Sequence, residues 1–463
     1  MIMQLFTKWY VKYILLALCC AVLLVVPLLR GPLIGTEPFF TARLAAHPSW
    51  HDDLSFGGRF AAYAWGTPLV LSPAPSVLMA ALPFLLGIAS VLLFSSILNS
   101  FIEDKRLKYL SLLFLILSPS FIYTFSFPNS LFLPVFLVLA AASLFFHKRY
   151  SWWSLPIFVI LPLFSILITT ACLIVLFCYT LWKKEQQKVF LALLFGALLS
   201  GALYYGYIFY NTGWAVGLSL GEGKAFQLFS TLFYDFGTLY GLGIFLTLLA
   251  TIGILSKWEK KYANLFLFLS LSFLIVVSFF RQETLVLLNL MVVPFAAQGF
   301  MFLAELRWTS KHFKMLTLLA FVCGIVFSGI SQMDALTEAK PDAHVLNAIQ
   351  FLSEQEQGTV FSHQSRGAWI AASGQKNMID EQYLFVPDAE KRFWDAEILY
   401  SARTKEEIYP ILTAYDIKYV WIDDEMKGIL WDYQTEGLLF VLEYSRDFTK
   451  IYDEGGVEIW KLT

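Results

Sequence analysis

Residues 154–182 read SLPIFVILPLFSILITTACLIVLFCYTLW, with no Asp, Glu, Lys or Arg. A helix crossing the roughly 30 Å of bilayer hydrocarbon needs about 20 apolar residues. This run is long for one crossing and short for two. As a single span it places Lys183, Lys184 and Lys188 on the outer face. As a hairpin of two short helices, turning near Ser165 to Thr170, it keeps them inside. Lys and Arg favour cytoplasmic loops, so the hairpin is the reading adopted, and it sets the parity of every later crossing.

Working outward, further apolar runs fall at about 9–29, 73–98, 109–126, 131–146, 189–210, 237–256, 262–280, 284–305 and 315–332. With the hairpin they predict 11 spans. The first follows Lys8 and Lys12 and has a long apolar core without a small-x-small cleavage site, so it reads as a signal anchor with its amino terminus inside. The inner flanks then hold 16 Lys and Arg, against five in the outer segments (Arg30, Arg43, Arg59, Lys224 and Arg281). An odd count puts the carboxyl-terminal part outside. Composition agrees with a chain given mostly to lipid: 58% of residues are hydrophobic and only 15% charged, against about 45–50% and 25% in soluble domains. The net charge of −2 hides a split, with 1–332 at +10 and 333–463 at −12. All five cysteines lie in apolar runs, so the carboxyl-terminal part is no disulfide scaffold. The expected class is a polytopic α-helical membrane protein of the cell membrane, 1–332, with an extracytoplasmic α/β domain, 333–463.

Within that domain Pro341 and Asp342 open a helix with Val345, Ile349 and Leu352 on one face. Strands are expected at Thr359–Ser362, Asn377–Asp380 and Ile417–Asp423, and helices at Pro387–Ser401 and Glu406–Tyr415. Gly455-Gly456 is expected to turn a hairpin between Phe448–Asp453 and Val457–Leu462. Alternating helices and strands predict a partly parallel sheet.

The acids of the inner flanks, such as Glu103, Asp104 and Glu305, sit beside Lys or Arg and read as solvated surface. The outer acids of the membrane part are Glu37, Asp52, Asp53, Glu222, Asp235 and Glu283. Three of them lie in the first outer segment, 30–72, which is long for a loop between spans and amphipathic enough to lie at the interface. Grouped carboxylates without His or Cys suit a hard divalent cation, Mg2+ or Mn2+. Arg43, Arg59 and Arg281 could grip a phosphate. The alternative is that these acids and arginines pair with each other and pin the loop. No nucleic-acid partner is expected.

The segment Glu37-Pro38-Phe39-Phe40-Thr41-Ala42-Arg43 resembles the first acidic motif of oligosaccharyltransferase catalytic subunits: an acid, Pro, two aromatics, and an Arg six positions after the acid. Trp50-His51-Asp52-Asp53 and Phe56-Gly57-Gly58-Arg59 are similar to the stretch that follows it. Glu222 ahead of Phe233-Tyr234-Asp235-Phe236 looks like the family's outer-loop Glu. Arg281 is similar to the arginine that contacts the lipid pyrophosphate. The resemblance implies a GT-C fold that moves a sugar or oligosaccharide from a polyprenyl phosphate or diphosphate carrier to a protein or glycan acceptor on the outer face. It implies a catalytic role for Glu37, assisted by Asp52 or Asp53, with Glu37 and Asp53 as metal ligands. It implies substrate binding by Arg43, Arg59, Glu222 and Arg281. Two departures shape the expectation. The family's Trp-Trp-Asp-Tyr-Gly is replaced by His363-Gln364-Ser365-Arg366-Gly367, so the acceptor is expected to differ from the usual sequon. The loop Ser126-Phe127-Pro128-Asn129-Ser130 lacks the second acid. A non-catalytic relative that binds lipid-linked glycans or partner proteins is the runner-up. A transporter is disfavoured by spans almost free of charge.

Overall fold

The computed structural model describes residues 10–61, 63–182, 186–212, 241–258, 265–381, 386, 388–431, 433 and 436–463. Glu222, Asp235, Lys183 and Lys184 lie outside them. Each apolar run is mainly helical where described. In chain order the first elements are α1 (Val11–Arg30), α2 (Glu37–Ala46), the short pair β1 (His51–Asp52) and β2 (Arg59–Phe60), α3 (Gly66–Leu71) and α4 (Pro75–Asn99). Then come α5 (Lys105–Ile116), α6 (Pro119–Ser126), α7 (Phe132–Phe146), α8 (Ser154–Ile160), α9 (Ile166–Trp182) and α10 (Gln187–Thr212). The bundle closes with α11 (Ile244–Ser256), α12 (Leu265–Phe280), α13 (Leu285–Glu305) and α14 (Lys311–Glu338).

By length and composition five of these helices can cross a membrane: α1, α4, α10, α13 and α14. The α5–α6 pair makes a sixth, bent by 60°. Five further apolar segments of 10–17 residues are shorter, so the 11 expected runs are present as helices but not as 11 full-length crossings among the described residues. The α5–α6 bend has a local cause. Ser118 precedes Pro119 and sits at φ −75°, ψ 136°, the extended conformation a following proline imposes.

The 154–182 run folds back on itself. Along α10, Gly196 faces Leu155 and Val159, and Gly201 faces Pro162 and Ile166, so α8 rises with α10. Phe190 of α10 instead meets Phe177, ring centroids 5.8 Å apart, so α9 descends against it. The break falls at Phe164–Ser165.

The last bundle helix, α14, runs on to Glu338, past the expected division at 332/333. Asp342 then caps α15 (Ala343–Ser353), its carboxylate accepting from the Val345 amide at 2.9 Å. The carboxyl-terminal region continues as β3 (Thr359–Phe361), α16 (Gly367–Ala372), β4 (Lys376–Asn377), α17 (Ala389–Ser401), α18 (Lys405–Ala414) and β5 (Ile417–Asp423). It ends with α19 (Asp424–Leu430), α20 (Leu438–Tyr444), β6 (Phe448–Glu454) and β7 (Val457–Leu462). The five strands order as β4-β3-β5-β7-β6, parallel from β4 to β5 and antiparallel beyond. The central strand β5 is buried at six of its seven positions, as a strand covered on both faces must be. Gly455 and Gly456 take positive φ, 58° and 78°, the geometry of a two-residue hairpin.

One residue of the first loop belongs to this domain's core. Phe39 of α2 is buried with Val345, Trp369, Ile370 and their neighbours. The sheet domain is therefore seated on the first loop by packing.

Candidate active site between the first loop and the sheet domain

Glu37 opens α2, with Pro38 in the first turn where its missing N–H costs nothing. A carboxylate there is favoured by the helix dipole. It accepts from the Ser130 amide and from Ser130 Oγ, both at 3.0 Å. Asn129 presents Ser130 in that position. Its Oδ1 accepts from the Leu131 amide at 2.8 Å and the Phe132 amide at 3.2 Å, and its Nδ2 donates to the carbonyls of Tyr123, Thr124 and Phe127. The loop that lacks the second acid is thus a rigid platform that delivers two donors to the first. Glu37 and Ser130 share the wall of a cavity of about 280 Å³ with Phe40, Leu44, Tyr63, Pro68 and Phe164.

Two more carboxylates sense Glu37. Glu283 lies in the turn Gln282–Thr284 between α12 and α13. Part of its surface stays accessible, yet the protein around it desolvates the carboxyl. That desolvation, with the charge of Glu37, holds it above the ordinary carboxylate range, while Arg281 pulls the other way. Glu381 is likewise raised, first by desolvation and then by Glu37 and Asp380, against a hydrogen bond from Thr36 Oγ1 at 3.2 Å. Arg281 makes no salt bridge among the described residues, so its guanidinium is unspent.

Asp52, Arg43 and Arg59 converge on each other. Arg43 donates to both Asp52 oxygens, at 2.5 and 2.9 Å. Arg59 Nε and Nη2 donate to Asp52 Oδ2 at 3.1 and 2.8 Å, and its Nη1 and Nη2 reach the two oxygens of Asp380 at 2.6 and 2.7 Å. Burial alone would raise the Asp52 pKa; hydrogen bonds and charge from Arg43 and Arg59 more than reverse it and hold it well below the usual range. Beside this network the loop adds backbone bonds to the edge of the sheet: the Asn377 amide donates to Leu54 O at 2.8 Å and the Phe56 amide to Asn377 O at 2.9 Å. Arg392 closes the joint, donating to Phe56 O at 2.9 Å and Met378 O at 3.1 Å. Asp53 stands apart, exposed and 3.3 Å from His51.

The geometry therefore brings Glu37 together with Ser130 and within electrostatic reach of Glu283 and Glu381. It spends Arg43, Arg59 and Asp52 on one another and on Asp380. Asn129, Ser130, Asp380, Glu283 and Glu381 complete the neighbourhood. Of these, only the Ser126–Ser130 loop and Glu283 carried any signal in the sequence. Among the described residues no group of three or more His, Cys, Asp or Glu is arranged to hold a metal ion.

At the replaced acceptor segment, Arg366 is committed. It donates to Asp423 at 2.6 and 3.1 Å and to Glu425 at 2.6 Å, and its guanidinium lies 4.9 Å from the Trp369 ring centre. His363 bonds Ser365 Oγ at 2.6 Å. Burial, then Arg366, pushes its pKa down. Asp423 is fully buried and caps α19 through the Met426 amide at 3.0 Å.

This arrangement, a helical bundle with an acid-bearing first loop under a sheet domain, is similar in fold to several solved membrane-enzyme structures. The oligosaccharyltransferase AglB from Archaeoglobus fulgidus, in complex with an inhibitory peptide and a dolichol-phosphate, aligns over 98% of this chain and 75% of its own with a TM-score of 0.61 and 12% identity. ArnT from Cupriavidus metallidurans, bound to undecaprenyl phosphate, aligns over 98% of both chains with a TM-score of 0.58 and 10% identity. A further structure of the Archaeoglobus enzyme, with zinc and sulfate, aligns over 97% of this chain and 73% of its own with a TM-score of 0.57 and 14% identity. No protein-family profile matches the sequence, and a search of curated proteins finds none similar.

Proposed function

We propose that the protein is a glycosyltransferase that moves a sugar from a polyprenyl phosphate or diphosphate carrier to an acceptor other than the usual sequon, with the sheet domain on the extracytoplasmic side. The observation that carries this reading is Glu37, held by Ser130 at a small, largely apolar cavity, in one electrostatic neighbourhood with Glu283 and the unspent Arg281. Two of the four or so lone-pair sites on the Glu37 carboxylate remain for an acceptor proton. In the reaction the acceptor oxygen or nitrogen bonds to the anomeric carbon, the carbon–oxygen bond to the carrier phosphate breaks, and the phosphate departs with the electron pair. Glu37 takes the acceptor proton. Arg281 stabilises the charge that develops on the phosphate. Arg43, Arg59 and Asp52 position the loop. Among the described residues no group of three or more His, Cys, Asp or Glu is arranged around a cation, and no step is routed through one.

Glu37→Ala and Arg281→Ala are each expected to abolish consumption of a polyprenyl-linked sugar in vesicles. Unchanged turnover in both sinks the proposal. The acid-free Ser126–Ser130 loop favours a second reading, a non-catalytic relative that binds lipid-linked glycans. Binding without turnover by the parent protein, across dolichyl and undecaprenyl donors, would select it.

A further inference from the structure

The bundle holds a second and larger cavity, about 790 Å³, at the end remote from the sheet domain. Small-molecule sites span about 300–1,000 Å³. Its walls come from Val138–Phe146 of α7, Cys172–Tyr179 of α9, Phe266–Leu274 of α12 and a stripe of α13. The first three run over nine, eight and nine residues, about 11–12 Å from end to end at a 1.5 Å rise. That is close to one leaflet, half of the roughly 30 Å hydrocarbon core. Only α13 carries the lining further, to Leu287.

Among the described residues, every charged residue on the lining belongs to the far rim: Glu103, Asp104, Arg106, Lys257 and Glu305. Arg106 is already committed, 3.0 Å from Asp104 and 4.0 Å from Glu305. Glu103 and Lys257 make no ion pair among the described residues. The rim thus offers one unspent carboxylate and one unspent ammonium at the mouth of an apolar shaft. Among the described lining residues three acids stand against two bases. A head bearing both signs matches the two free groups and leaves the rim's balance unchanged.

We propose that this cavity binds a zwitterionic phospholipid with a primary-amine head, from the leaflet opposite the sheet domain. An acyl chain fills the shaft, the phosphate sits on Lys257 and the ammonium on Glu103. A quaternary head lacks the N–H to donate to Glu103, so the site selects a primary amine. Nothing in the proposed transfer chemistry uses these residues, so the site stands whether or not that reading holds.

The test is native mass spectrometry of the delipidated full chain in detergent, titrated with dioleoyl phosphatidylethanolamine, phosphatidylcholine, phosphatidylglycerol and undecaprenyl phosphate. Phosphatidylethanolamine is expected to be retained about tenfold better than the other two phospholipids, the factor of one charge-assisted hydrogen bond. Glu103→Gln and Lys257→Ala, both at the rim and outside the packed core, are expected to erase that preference. Ala142→Phe, which narrows the shaft, is expected to lower retention of all three phospholipids. Equal retention of the three by the parent, or a preference that survives both rim variants, overturns the proposal. So does displacement of phosphatidylethanolamine by undecaprenyl phosphate that disappears in Arg281→Ala, which would make the cavity the berth of a donor chain.

Discussion

Arg59 has no solvent-exposed side-chain surface, and a carboxylate lies against it on each side. With Arg43 the described group holds two guanidiniums, Asp52 and Asp380. Such a buried cluster is weak grounds for stability, because desolvation offsets the attraction, but removing one member leaves a buried charge unmatched. Arg59→Met is therefore expected to cost about 3–5 kcal/mol, read by denaturant unfolding of the full chain in detergent. Arg59→Lys should rescue little, since a point charge cannot fork to two carboxylates. The double variant Arg59→Met/Asp380→Leu should recover much of the loss, because it removes the stranded acid as well. Single variants as stable as the parent would show that the cluster does not hold the loop. Half of this was legible in the sequence, where mutual pairing of the loop's acids and arginines was one of two open readings. Asp380 was not, because it lies 321 residues from Arg59 and nothing local marks it.

Helices α11 and α13 meet backbone to backbone at Gly253 and Gly299. A Cβ on Gly253 would lie 1.9 Å from the Phe295 carbonyl oxygen, and one on Gly299 would lie 2.0 Å from that of Leu249. In a bilayer, where burial gives helices little reason to associate, such small-residue contacts are how they approach. Gly253→Val and Gly299→Val must push two backbones apart, and each is expected to lower the thermal unfolding midpoint in detergent. Gly206→Ala on α10 has open space around it and should leave the midpoint unchanged or raise it. If all three behave alike, the close crossing is not what holds these helices. Periodicity and turn residues made the long elements readable: β5 and the Gly455-Gly456 hairpin fall where the alternation places them. It failed on short ones. The seven-residue helices α19 and α20 are too brief to show a helical period. The sequence expected a strand at Asn377–Asp380, but β4 is only Lys376–Asn377. Asn377 also bonds to the first loop, a partner that local sequence does not show. The Pro119 bend was legible as a residue but was read through as one run.

Across the whole molecule, the +10 and −12 halves of the chain separate in space much as they do in sequence, into a bundle and a sheet domain. What composition could not show is that the two are locked by a titratable joint at Asp52. Its pKa is depressed in the folded protein, mainly because Arg43 and Arg59 outweigh its burial. A depressed acid contributes stability that is complete above its unfolded pKa, about 3.9, and is lost as the pH falls from there toward the folded value. Glu283 and Glu381 shift the opposite way: the folded state takes up their protons first, and gains as the pH falls from neutral. Global unfolding mixes the two signs, so the joint is read locally, by hydrogen exchange at residues 51–60 and 376–380. Protection there is expected to stay level from pH 7 to about 4 and to fall below that. Asp52→Asn should begin lower at pH 7 and follow a flatter acid limb, because the titrating group is gone. An acid limb of unchanged slope in Asp52→Asn would assign the joint's pH response to another carboxylate, with Asp380 the first to replace.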